Sequence, residues 1–170
     1  MTASTIADVE SQGSRTPQRV RAAATVALFA VLAAALLGLL GTRMAERSVT
    51  ESVWTTHVRF ASAARAGLDI PLTVTVERAG GFDGDVTVAI SSDYLRLLDQ
   101  QSVDPEPAEQ TRDGAWTYLT FTAPEGEVLR FDIEAYVRAL HDRSASGRVA
   151  VIDSDGLHVA PVDIHTRIVP

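Results

Sequence analysis

The rhythm of hydrophobic and polar positions changes twice along this chain. Residues 1–19 are rich in Ser, Thr and Gln and show no apolar period. From Ala22 to Thr42 the sequence AAATVALFAVLAAALLGLLGT contains no acid, base, Asn or Gln. As a helix rising about 1.5 Å per residue this run reaches about 31 Å, the thickness of a bilayer's hydrocarbon core. From Val53 onward the period becomes two. Leu72, Val74 and Val76 alternate with Thr73, Thr75 and Glu77, and Val86, Val88 and Ile90 with Thr87, Ala89 and Ser91. Leu129, Phe131, Ile133, Ala135 and Val137 do the same, as do Val162, Ile164, Thr166 and Ile168. Each such segment reads as a strand with one face on a core and the other in water.

Three further segments read as strands: Val53–Ala61, Ala115–Thr122, and Arg148–Ile152 turning through Asp153–Gly156 into Leu157–Ala160. Turn residues fall between them at Gly80-Gly81, Asp83-Gly84, Asp113-Gly114 and Pro124–Gly126. About seven or eight short strands at this spacing predict an all-β fold, an immunoglobulin-like antiparallel β-sandwich, with a barrel as the alternative. Ser92–Val103 breaks the alternation and predicts a short helical turn capped by Ser92 or Asp93. Asp104–Asp113, with Pro105 and Pro107, reads as an exposed connection and a recognition loop.

The resulting organisation is a disordered cytoplasmic tail (1–19), a transmembrane anchor helix (20–42), a linker (43–52) and an extracytoplasmic domain (53–170). A cleaved signal peptide is the alternative for the apolar run, but cleavage at Ala33-Ala34-Ala35 would leave Leu36, Leu37, Leu39 and Leu40 as an apolar stub. Arg15, Arg19 and Arg21 precede the run and Arg43 and Arg47 follow it, which puts the N-terminus in the cytoplasm. Ala30, Ala34 and Gly38 share a four-residue spacing suited to close helix packing.

Composition narrows the chemistry. There is no Cys, which excludes disulfides, Cys-ligated metals and thiol nucleophiles, and all 15 basic residues are Arg. Residues 43–170 hold 12 Arg against 20 Asp and Glu. An acidic domain with no basic stripe in its sequence argues against nucleic acid.

Candidate sites are sparse. His57, His141, His158 and His165 form no metal-ligand spacing. Asp153-x-Asp155-Gly156 starts like a calcium loop but has Ile164 at the twelfth position, so it reads as a hairpin tip. Asp83-Gly84-Asp85 reads the same way. No Gly-x-Ser-x-Gly and no phosphate-binding glycine loop is present, and a Ser-His-Asp set could arise only by assembly in space. No residue is assigned a catalytic, cofactor or metal role, and no cofactor is expected. Trp54 suits the lipid–water boundary and Trp116 the core. A small-ligand site at the sandwich mouth would draw on Tyr94, Tyr118, Trp116 and Arg112.

The segments VRFASAARAGLDIPLTVTVE (58–77), DVTVAISSDYL (85–95), VDPEP (103–107) and WTYLTFTA (116–123) together resemble a group of bacterial membrane-anchored β-sandwich proteins that accompany YetF-like multi-pass membrane proteins. The resemblance implies a non-enzymatic single-pass protein. From the residues themselves, the expected partners are lipid, through Ala22–Thr42, and another membrane protein, through the loop Leu98–Asp113, the anchor helix or any unpaired sheet edge. The alternative is an extracytoplasmic sensor or carrier of a small ligand.

Overall fold

The computed structural model describes residues 15–36, 42–137 and 144–169. The chain divides into two compact units, Met1–Gly41 and Thr42–Pro170. In the first, helix α1 spans Arg15–Leu36. It starts earlier than the expected tail boundary, with Pro17 in its first turn, where a missing N–H costs nothing. Every side chain described in α1 is exposed. Among the described residues no helix is long and apolar enough to cross a membrane. The apolar part of α1 that is described, Ala22–Leu36, extends about 22 Å, short of a bilayer core. Leu37–Gly41, which complete the expected anchor Ala22–Thr42, lie outside the described residues, as does most of the expected tail.

The second unit is all-β. Ten strands follow in order: β1 (Arg43–Glu51), β2 (Trp54–Arg65), β3 (Asp69–Arg78), β4 (Val86–Ser91), β5 (Leu98–Asp104), β6 (Glu109–Arg112), β7 (Trp116–Phe121), β8 (Val128–Val137), β9 (Ser144–Ile152) and β10 (His158–Val169), with helix α2 (Ser92–Leu97) before β5. The strand count exceeds the expected seven or eight because three strands lie where no alternation marked them. The expected linker 43–52 is mostly β1, which pairs along β2, and the expected loop Leu98–Asp113 contains β5 and β6. These three are edge strands with few buried positions, so they carry no apolar rhythm to read.

The sheet path runs β5-β8-β3-β2-β10-β9-β4-β7-β6, with β1 also on β2. It curls into two layers. The rings of Phe121 (β7) and Phe131 (β8) stack at 4.6 Å, although their strands stand far apart on the path. Strand β2 makes the turn between layers. Its residues Trp54–Arg59 pair with β3, and Ala63–Arg65 pair parallel to β10. Ser62 is an extra residue opposite the Arg43/Met44 step of β1, so Phe60 and Ala61 are both buried and the strand bends. Strand β10 has a matching irregularity between Val159 and Val162. There Ala160 has φ of 46°, and its N–H donates to Glu51 Oε2 at 2.7 Å. The two ends of the path, β5 and β6, do not pair, so the sheet is not a closed barrel.

Between the layers lies one core, including Val58, Phe60, Leu72, Val74, Val88, Ile90, Leu119, Ile133, Val149 and Val162. Helix α2 plugs one end of it with Tyr94, which is 1% exposed. Tyr94 sits so close to β9 that a Cβ on Gly147 would lie 2.4 Å from its own Cβ. Its hydroxyl donates to Thr166 Oγ1 at 2.7 Å, which in turn donates to Ala61 O at 2.6 Å. Burial pushes the Tyr94 phenol above its ordinary 10.0 despite the Thr166 bond. The expected Ser92 or Asp93 cap does not form. Ser91 is the N-cap residue and makes no side-chain cap. Its hydroxyl accepts from Arg148 N, and the Ser92 hydroxyl meets Thr117 Oγ1 in the core.

Candidate functional site

The residues expected at a sandwich mouth do not converge. Tyr94 is buried in the core. The Arg112 Nε–H donates to Thr117 Oγ1 at 3.1 Å, on the core side of β7. Trp116 and Tyr118 alternate with buried Thr117 and Leu119, so they stand on the outer face of β7. There His158 joins them, its ring 4.4 Å from Trp116 and 6.5 Å from Tyr118, both edge-on. Trp116 is therefore half-buried on the outer face and not in the core as expected.

That aromatic group forms because its floor is small. Ala89 pairs with Tyr118 on one side and Ala150 on the other, and both alanines are 0% exposed although their positions face outward. Strands β7 and β10 are separated by β4 and β9, about 14 Å at ordinary strand spacing. Beside the rings, Asp113 accepts from Tyr118 O–H and Trp116 N–H, each at 2.8 Å. The Tyr118 bond holds the Asp113 carboxyl below its ordinary value, and the same bond pushes the Tyr118 phenol up. Asp113 thus serves as a turn anchor with its oxygens committed.

A second pair lies further along this face. The Ser146 hydroxyl and His165 Nδ1 are 2.9 Å apart, directly opposite each other on β9 and β10. A hydrolase would need a carboxylate on the other ring nitrogen and a pair of N–H groups for an oxyanion. Among the described residues His165 has no carboxylate partner. The nearby Asp163 is taken by Arg148 Nε at 2.7 Å, which holds its carboxyl low and the guanidinium pKa high.

A separate opening lies at the β3–β4 and β9–β10 turns. A cavity of about 380 Å³ there is lined by Trp54, Arg78, Phe82, Asp85 and Asp153 among others. Arg78 covers the Trp54 ring at 5.4 Å and bonds Gly81 O and Asp83. Asp153 Oδ1 accepts from Asp155 N and Leu157 N, as a hairpin tip requires. Among the described residues no group of three His, Asp or Glu is placed to hold a metal. His141 lies outside the described residues.

No family model and no curated protein matches the chain. Among solved structures, it is similar to a chain of a type I cohesin–dockerin complex from Clostridium thermocellum, at 12% identity and TM-score 0.41, covering 74% of this chain and 99% of that one. It is also similar to a conjugative transposon lipoprotein from Bacteroides eggerthii, at 16% identity and TM-score 0.36, covering 68% and 98%. A third is the major pilin subunit of Bacillus cereus, at 8% identity and TM-score 0.39, covering 76% of this chain and 40% of that one. At these scores the likenesses assign neither a family nor a partner.

Proposed function

We propose that this chain is a non-enzymatic, membrane-tethered β-sandwich that makes protein contacts, as the accessory subunit of another membrane protein such as a YetF-like one. Its N-terminus is cytoplasmic and its sheet domain extracytoplasmic. The observation that carries the reading is the surface of α1. Val26, Leu28, Phe29, Val31 and Leu32 are 48–69% exposed and point in all directions around the helix. A helix apolar on every side demands an apolar surrounding, and the uncharged sequence continues to Thr42. The sheet domain supports the contact role with its edges. All four residues of β6 are exposed, and among the described residues no strand pairs with its outer side. An unpaired edge can take a partner's strand.

A detergent pull-down with mass spectrometry tests this reading. It compares the full chain, a chain with a foreign anchor, and Thr111→Pro on β6. A multi-pass membrane protein recovered with the full chain and lost with either variant is the expected result. The same proteins recovered with all three would remove the contact role.

A further inference from the structure

The outer face of β1, β2, β3 and β8 gathers residues that lie far apart in the sequence. Glu46, Arg59, Thr73 and Asp132 stand opposite one another in one row, and Ser48, His57, Thr75 and Arg130 in the next. Strand β3 supplies only threonines here, between longer side chains on β2 and β8. A trough of about 390 Å³ results, with Arg59 and His57 on one wall and Arg130 on the other.

Its hydrogen-bonding groups do not balance. Asp132 accepts from the Thr73 hydroxyl and faces Arg130 Nε at 3.5 Å. Glu46 faces Arg59 Nε at 3.5 Å, and Glu77 faces His57 Nε2 at 3.7 Å. The carboxylates are thus engaged. Each guanidinium has committed only its Nε, which leaves both Nη nitrogens, with two N–H each, without a protein acceptor among the described residues. The trough also holds the Ser48 and Thr75 hydroxyls. Donors are in surplus on both walls.

We propose that this trough binds a phosphate group. Arg59 on β2 and Arg130 on β8 line the trough on either side of Thr75 on β3, and donors arriving from two sides suit an oxyanion with acceptor oxygens in several directions. The exposed 3.5 Å pairs to Glu46 and Asp132 are weak enough to exchange for it. The group can come from free phosphate or from a lipid headgroup. Glu46 lies four residues beyond the end of the uncharged run at Thr42, so a headgroup source follows if that run is anchored. Phosphate binding itself does not depend on the anchor.

The test uses the ¹⁵N-labelled full chain in nonionic detergent, reading the Arg59 and Arg130 Nε–Hε signals. One arm adds inorganic phosphate, and the other dopes the micelles with phosphatidic acid against phosphatidylcholine. Saturable shifts at both arginines are expected, with the Arg130 shift lost in Arg59→Gln and the Arg59 shift lost in Arg130→Gln while the thermal midpoint holds. Shifts at lower concentration in the doped micelles assign the headgroup; equal or stronger response to inorganic phosphate assigns the free ion. No saturable shift in either arm, or equal shifts at the distant exposed Arg96, would overturn the proposal.

Discussion

Helix α1 and the sheet domain use apolar residues in opposite ways. In the sheet domain nearly every strand hides its apolar positions, and Val58, Val74, Val88, Leu119, Ile133 and Val149 are each 0–1% exposed. In α1 every apolar side chain described is exposed. Substitutions should separate the two: changes in the core alter the domain and leave the helix alone.

The largest effect is expected from Phe131→Ala. It removes one ring of the stack that joins the layers and should cost about 3–5 kcal/mol, read by denaturant unfolding of the β signal while α1 helicity persists. Tyr94→Phe deletes a buried donor and should cost about 1 kcal/mol. It should also change the alkaline limb. The folded Tyr94 pKa is raised above 10.0, so its contribution is intact below the unfolded pKa and is lost as pH rises through the folded one. In the Phe variant that part of the alkaline loss disappears from a pH series of melting curves. Thr56→Val goes the other way. The Thr56 hydroxyl is buried without a hydrogen-bond partner among the described residues, and removing it should gain up to about 1 kcal/mol. Asp113→Asn is the smallest. The folded Asp113 pKa is depressed, so its contribution is present above the ordinary carboxylate value and is lost as pH falls through the folded one. The variant should melt slightly lower at neutral pH and converge with the unaltered chain as pH falls through the folded pKa, giving a flatter acid limb in a pH series of melting curves.

The period-two segments were legible because each has a dry and a wet face, and the structure places Leu129 to Val137 and Val86 to Ile90 as their alternation demands. Strands β1, β5 and β6 were not legible, since an edge strand such as Glu109–Arg112 buries nothing and leaves no pattern. The same reason hid both surface clusters. Arg59 and Arg130 come to one trough only through the β2–β3–β8 register, and His158 meets Trp116 only through the β7-β4-β9-β10 order of the sheet. Sequence spacing holds no trace of either. The residues expected at a small-ligand mouth scatter, because the helical turn legible at Ser92 did not reveal that it buries Tyr94 in the core.

The most direct test of the tethered-domain account is alkaline carbonate extraction of membranes holding the full chain, beside Phe29→Arg/Leu32→Arg. The account predicts that the unaltered chain stays in the membrane pellet. It predicts that the variant is released with the melting midpoint of its sheet domain unchanged. Release of the unaltered chain, or retention of the doubly charged variant, would contradict it.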